Sequence, residues 1–385
     1  MNNFNFYNPT RICFGKDTIS QLDQLVPKDA KILVLYGGAS AEKNGTLNEV
    51  RQALGARDVS YFSGIEPNPS FETLSKAVSQ VKAEQRNFLL AVGGGSVIDG
   101  TKFVAAAALY PGDTWEIMLT GGRSITQALP LASVLTLPAT GSEMNRGGVI
   151  TQRATQSKLS FKSDLLYPQF SILDPTKTYS LPAKQVANGV VDAFVHVVEQ
   201  YLTYPAQAPV QDRFAEGLLL TLIEQGETAV TQTDNYEARA NLMWTATLAL
   251  NGLIGCGVPQ DWSTHMLGHE LTALYGLDHA QTLAIILPSM LAEMRQAKHG
   301  KLVQYAERVW QITQGNDEQK IQQAIANTRA FFERVGVKTY LKDYQLGSEI
   351  IEPVIAQLQA HKMTALGEQR NVTPEVCERV LRASL

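Results

Sequence analysis

The sequence predicts an α/β domain with a parallel sheet, followed by an all-helical domain. Three observations carry this. Up to Leu181, short apolar runs alternate with stretches of helical period. After Leu181–Pro182, strict alternation of apolar and polar residues almost disappears and long helical stretches follow. With 385 residues the chain is too long for one typical domain. Near-continuous apolar strands separated by helices are the pattern of a parallel sheet covered on both faces. The boundary is expected near residue 181, with domains 1–181 and 182–385.

In order, Lys31–Tyr36 (KILVLY) reads as a buried strand stopped by Gly37–Gly38, and a helical stretch lies near Thr46–Leu54. Val59–Phe62 is a second short strand. Phe71–Glu84 is helical because Phe71, Leu74, Val78 and Val81 fall on one face. Phe88–Val92 (FLLAV) is a buried strand ending at Gly93–Gly94–Gly95, and a helix over Val97–Leu109 follows. Further strands are expected at Leu131–Leu137 and Phe170–Leu173. The second half carries helical stretches near Gln185–Leu202, Asp212–Gln225, Tyr236–Leu253, Trp262–Tyr275, Thr282–Lys298 and Gln319–Val335. No repeat or low-complexity linker interrupts them.

Composition excludes several function classes. The 33 basic and 37 acidic side chains give a net charge of −4, so there is no general basic footprint for nucleic acid or an anionic membrane. No run reaches the roughly 18 apolar residues of a membrane-spanning helix. The opening MNNFNFYNPT lacks the basic and apolar regions of a secretory signal. Cys13, Cys256 and Cys377 are odd in number, widely spaced and outside any C-x-x-C pattern. That excludes a disulfide framework or a thiolate zinc site and points to a reducing cytoplasm.

Gly93–Gly94–Gly95–Ser96 sits between a strand and a helix. Glycines there let the backbone approach a ligand, and the helix N-terminus offers N–H groups to phosphate. The strict dinucleotide fingerprint is broken by Ile98, and no G-K-[ST] of a Walker loop is present. The earlier turn, Tyr36–Gly37–Gly38–Ala39–Ser40, lacks the acidic residue that commonly binds an adenine ribose and repels a 2′-phosphate. NADP is therefore favoured over NAD. Thr136 to Glu143 (TLPATGSE) follows a third strand and offers hydroxyls to a ligand or to a helix cap.

Asp192 and His196 are four residues apart in one predicted helix, and His265 and His269 repeat the spacing in another. Each pair lies on one helical face, which suits ligands of one metal. His279 follows at the start of the next helix. This is not the zincin pattern, because Ala273 stands where the second histidine would be. Imidazoles with a carboxylate favour a first-row divalent ion such as Fe²⁺ or Zn²⁺ over Mg²⁺ or Ca²⁺. Spacing selects neither the metal nor which four of the five candidates bind it. His299 and His361 lie in polar surroundings and read as surface residues.

The segments GGGSVIDGTK, LPATGSE, ANGVVDAFVHVVEQ and HMLGHELTALYGLDHAQTLAI together resemble the iron-containing (group III) alcohol dehydrogenases, and within them the NADPH-dependent butanol dehydrogenase and broad-range aldehyde reductase branch. The resemblance runs end to end and implies the same two-domain plan. It implies metal ligands Asp192, His196, His265 and His279, and places His269 beside nicotinamide and substrate. It further implies cofactor contacts from Gly38, Ser40, Asn68, Gly94, Gly95, Ser96, Asp99, Thr136, Thr140, Asn145 and Lys158, and a homodimer through the N-terminal segment. Asp278 departs from the Pro or small residue that often precedes the last ligand.

The function so implied is reversible hydride transfer between NADP(H) and small aldehydes or primary alcohols. The metal is expected to act as a Lewis acid at the carbonyl oxygen, and His269, or a water chain it orders, to deliver the proton. A metal-dependent lyase of the dehydroquinate-synthase type is the alternative. It is disfavoured by Asp192 with the additional His196, and by the few basic residues near the ligand segments. A retired, non-catalytic nucleotide binder would be expected to have lost ligands, and none is missing.

Overall fold

The computed structural model describes residues 1–38 and 40–385. They fall into two compact units. One comprises Tyr7–Pro182 with Thr233–Thr247, and the other Met1–Phe6, Ala183–Gln232 and Leu248–Leu385. Two stretches therefore lie across the single cut expected near residue 181.

The α/β unit opens with β1 (Arg11–Phe14), the single turn α1 (Leu22–Leu25) and β2 (Lys31–Tyr36). The short α2 (Ser40–Lys43), α3 (Thr46–Leu54), β3 (Asp58–Phe62) and α4 (Phe71–Ala83) follow. Then come β4 (Phe88–Gly94), α5 (Gly95–Ala107), the turn α6 (Glu116–Leu119) and β5 (Leu131–Leu137). The hairpin strands β6 (Gly147–Gln152) and β7 (Ser157–Lys162) precede β8 (Phe170–Leu173). The main sheet has the order β1-β8-β5-β4-β2-β3, and every pair in it is parallel.

Alternate residues of β2 and β4 feed opposite cores. Leu33, Leu35, Leu89 and Ala91 pack on one face; Ile32, Val34, Phe88, Leu90 and Val92 pack on the other. A strand buried on both sides has no polar face, so its sequence is a continuous apolar run. Strands added after β2 go to opposite sides of it, β3 to one and β4 to the other. The winding thus reverses between β2 and β4, and both glycine turns leave the carboxyl ends of these two strands, where doubly wound sheets bind ligands.

Three strands escaped the sequence reading. β1 is a four-residue edge strand with one buried side chain, Cys13. The β6–β7 hairpin is glycine-rich and polar, and only scattered side chains of it are buried. The helix after the glycine turn begins at Gly95 rather than Val97.

The helical unit holds α7 (Ala183–Tyr201) and α8 (Pro209–Thr231); α9 (Tyr236–Ala249) falls mostly with the α/β unit. It continues through α10 (Ser263–Tyr275), α11 (His279–Glu293), α12 (His299–Arg308) and α13 (Asp317–Arg334), and closes with α14 (Ile351–Ala360) and α15 (Pro374–Ala383). One of its cores joins Leu267 and Leu271 of α10 to Ile285 and Met290 of α11, and to Val354, Leu358, Val380 and Leu381. Within the α/β unit, α9 contributes Met243 to the core, the buried Arg239 to the Thr178 carbonyl, and Thr247 to the Glu143 carboxyl. Among the described residues no helix is long and apolar enough to cross a membrane. The three cysteines are free and buried.

Candidate active site

In the helical unit, three imidazoles converge on one carboxylate oxygen. Asp192 Oδ1 lies 3.5 Å from His196 Nε2, 3.8 Å from His265 Nε2 and 3.6 Å from His279 Nε2. Asp192 and His196 project from one face of α7, His265 from α10, and His279 is the first residue of α11. Atoms bound at about 2.1 Å to a tetrahedral ion lie about 3.4 Å apart, so these separations are those of a ligand set. Among the described residues, the ligand atoms of Asp192, His265 and His279 lie within 4.8 Å of one another, a group that His196 does not join. Asp192, His196 and His265 are buried, and His279 is partly open. His265 Nε2 makes no hydrogen bond among the described residues, which an ion in the cluster would remedy. The donor set, one carboxylate and three imidazoles, fits a first-row divalent metal.

His269 stands one turn beyond His265 and is buried. Its ring centroid is 5.2 Å from that of His279 and 6.3 Å from that of His265. All five residues singled out in the second half are thus brought together.

Electrostatics prepares the imidazoles differently. Burial pushes His196 down to about 4, with Asp192 opposing the drop, so its ring is neutral and able to ligate. Burial also acts to lower His265, but the Glu199 and Asp192 carboxylates outweigh it and raise the ring to about 9. Glu199 is the residue the sequence reading missed. It is buried, receives the Thr264 backbone N–H at 2.6 Å, and hydrogen-bonds His265 Nδ1. Breaking such a buried pair by removing one partner costs about 3–5 kcal/mol. Its signal was present in the spacing, since Asp192, His196 and Glu199 sit at i, i+4 and i+7 on one helical face.

Around this cluster, Lys298 is buried and joins Asp261 (2.7 Å) to Glu368 (3.0 Å). That fixes the loop ahead of α10, in which Trp262 adopts a left-handed backbone, φ +66°. The Trp262 ring stands edge-on to His265, at 5.3 Å between centroids. Asp278 braces the fold here, since its carboxylate takes Asn188 at 3.2 Å and Lys184 at 2.8 Å and so ties the start of α11 to the first turns of α7. The reading of His361 as a surface residue is corrected, because its Nδ1 meets the buried Glu270 at 2.8 Å. His299 is half-buried.

In the α/β unit, Gly94 and Gly95 form the corner between β4 and α5. A Cβ on Gly94 would meet Leu137 at 3.0 Å, and one on Gly95 would meet Thr140 Oγ1 at 2.3 Å. Side chains are thereby excluded, and the N–H groups opening α5 are left to a phosphate-sized ligand. Gly38 and Ser40 lie exposed at the carboxyl end of β2, while Ala39 of this turn lies outside the described residues. Asn68 has a left-handed backbone, φ +55°, and its side-chain oxygen receives Lys158 Nζ at 2.8 Å. Thr136 lies on β5, and Thr140 Oγ1 accepts the Ser142 N–H at 3.2 Å.

Asp99 and Asn145 have side chains engaged by the protein itself. Asp99 accepts Ser142 Oγ and the Val149 N–H, at 2.6 and 2.9 Å. Asn145 Oδ1 accepts Lys102 Nζ at 2.9 Å. Lys102 is fully buried and also donates to Ser142 Oγ (2.9 Å) and the Gly147 carbonyl (2.7 Å). Ahead of any ligand, this network fixes the 140–147 segment against α5.

Comparison with known proteins agrees with this architecture. The iron-containing alcohol dehydrogenase family matches residues 9–175 and its C-terminal family matches residues 186–385. The chain is 58% identical to the NADPH-dependent aldehyde reductase YqhD of Escherichia coli K12 over the whole of both proteins. It is 37% identical to NADH-dependent butanol dehydrogenase A of Clostridium acetobutylicum, again over all of both chains. The crystal structure of E. coli YqhD matches with a TM-score of 0.99 at 57% identity, covering 100% of this chain and 99% of that one. That of NADH-dependent butanol dehydrogenase A from Thermotoga maritima matches with 0.95 at 35% identity and the same coverage. The family matches, together with the dinucleotide-type sheet and the carboxylate–imidazole cluster, identify a metal-dependent oxidoreductase. The chain belongs to the iron-containing alcohol dehydrogenase family.

Proposed function

We propose that this protein is an NADPH-dependent aldehyde reductase that converts small aldehydes to primary alcohols, and the reverse, with one Fe²⁺ or Zn²⁺ held by Asp192, His196, His265 and His279. The observation that carries the reading is the convergence of three Nε2 atoms on Asp192 Oδ1 at 3.5–3.8 Å. When bound, the ion supplies a Lewis acid for the carbonyl oxygen and NADPH supplies the hydride. Stabilising the developing oxyanion is commonly the largest catalytic contribution, worth several kcal/mol.

The remaining work belongs to the chain's own residues. The N–H groups at the start of α5 receive the pyrophosphate, with Gly94, Gly95 and Ser96 keeping the approach open. Gly38 and Ser40 present no carboxylate to a 2′-phosphate, which supports NADPH as the preferred cofactor, as in the 58% identical relative's name. Asn68, held by Lys158, and Thr136 and Thr140 complete the cofactor contacts, while Asp99 and Asn145 serve through the network that fixes the 140–147 segment. His269 carries the proton for the product alkoxide on one ring nitrogen. Burial of Asp192, His196 and His269 keeps competing water from the reacting atoms. Three free, buried cysteines support a reducing cytoplasm as the compartment, and the exposed Phe4, Phe6 and Tyr7 support a homodimer through the N-terminal segment.

The test is oxidation of NADPH by butanal, followed by the loss of NADPH absorbance. Turnover is expected, abolished by a chelator and restored by Fe²⁺ or Zn²⁺. Absence of turnover with every short aldehyde tried, in metal-loaded protein, overturns the reading.

A further inference from the structure

We infer that Glu199 is a positioning residue that sets the tautomer and ring orientation of His265, and through them the metal affinity of the Asp192 cluster; the inference rests on the ligand set proposed above. Both oxygens of Glu199 are engaged by consecutive residues at the start of α10, one by the Thr264 N–H at 2.6 Å and the other by His265 Nδ1. The Thr264 N–H is a donor and cannot reverse, so that oxygen must accept. The second oxygen of a carboxylate can also only accept, which places the ring proton of a neutral His265 on Nδ1 and leaves the Nε2 lone pair for a ligand. Nε2 is the atom directed at Asp192.

The clamp is itself braced. The Glu199 backbone carbonyl receives the Asp261 N–H at 2.9 Å, and Asp261 is held by Lys298 at 2.7 Å. His196 offers the contrast: its Nδ1 makes no hydrogen bond among the described residues, so no comparable group orients that ring. An amide in place of the carboxylate would have one accepting oxygen. With that oxygen kept by Thr264, its NH₂ would face Nδ1, move the ring proton to Nε2 and block the ligand.

The experiment titrates Co²⁺ into chelator-stripped enzyme and reads the visible absorption of the bound ion. Glu199→Gln is expected to weaken Co²⁺ binding by about 10–100-fold, with the far-ultraviolet circular dichroism of the stripped protein unchanged. Glu199→Asp keeps two acceptors and is expected to recover part of that loss. Co²⁺ affinity of Glu199→Gln within twofold of wild type overturns the inference, and so does an equal loss in the Asp and Gln variants. If Co²⁺ binding survives Asp192→Asn unchanged, the ligand set fails first and the role of Glu199 falls with it. A second measurement needs no variant at Glu199. In zinc-loaded wild type with nitrogen-labelled histidine, the resonance lost in His265→Gln should report a proton on Nδ1, and a proton on Nε2 overturns the assignment.

Discussion

Ser142 Oγ donates to Asp99 Oδ1 at 2.6 Å while accepting from Lys102 Nζ at 2.9 Å, so one hydroxyl bridges a buried anion and a buried cation. Ser142→Ala leaves both charges short of a partner, at a cost of about 1–3 kcal/mol. Since the bridge joins α5 to the 140–147 segment, the KM for NADPH should rise several-fold while bound metal is unchanged. Thermal melting and metal analysis of the variant check this, and an unaltered melting temperature would remove the network from the account of stability.

Gly95→Ala places a methyl group 2.3 Å from Thr140 Oγ1 and 2.6 Å from its Cγ2. Overpacking of this kind costs about 1–3 kcal/mol. Thr140→Ala in the same chain should return part of the loss, with a coupling energy of about 0.5–3 kcal/mol. Denaturant melts of the two single variants and the double variant measure it directly.

Burial lowers the Lys102 ammonium from 10.5 to about 8, against the pull of Asp99 and Glu143. Between about pH 8 and 10.5 the unfolded chain therefore binds one proton more than the folded chain at this site, and the contribution of Lys102 to stability rises with pH. Wild type should gain on Lys102→Met over that window. Parallel melting curves as a function of pH decide it; a wild type that loses stability relative to the variant with rising pH contradicts the assignment.

Ser40→Asp sets a carboxylate at the carboxyl end of β2, where the proposed 2′-phosphate would lie. Repulsion between like charges should shift the NADPH-to-NADH ratio of kcat/KM by roughly tenfold toward NADH, about 1.4 kcal/mol. An unchanged ratio takes Ser40 out of cofactor selection.

Asp192→Asn and His269→Ala should separate two functions. The first is expected to lose bound metal, and the second to keep it while kcat falls by about 10²–10⁴-fold, the span of a lost general acid. Metal loss on changing His269 would make it a ligand.

The central strands were readable because burial on both faces forces a continuous apolar run, as in Lys31–Tyr36 and Leu131–Leu137, whose limits coincide with those observed. β1, β6 and β7 were not, since an edge strand and a polar hairpin carry no such pattern. Asp192 with His196 and His265 with His269 were visible because helical spacing encodes a shared face, His279 because it opens the next helix, and the structure gathers all five. Glu199 shares that face but was hidden by its type: one glutamate in a helix is ordinarily a solvent residue. Lys102 was equally hidden, for its partners lie some forty positions downstream, beyond the reach of local periodicity. His361 was misread because flanking polar residues say nothing of Glu270, 91 positions away.

The inclusion of Thr233–Thr247 in the α/β unit has a bearing on how the protein is made. During synthesis, all strands of the main sheet have emerged once residue 173 is out, yet the Glu143 carboxyl waits for Thr247 and the Thr178 carbonyl for Arg239. The nascent α/β unit thus stays incomplete until most of α9 has left the ribosome, with α7 and α8 already exposed. A fragment ending at Pro182 would carry the same open seam permanently.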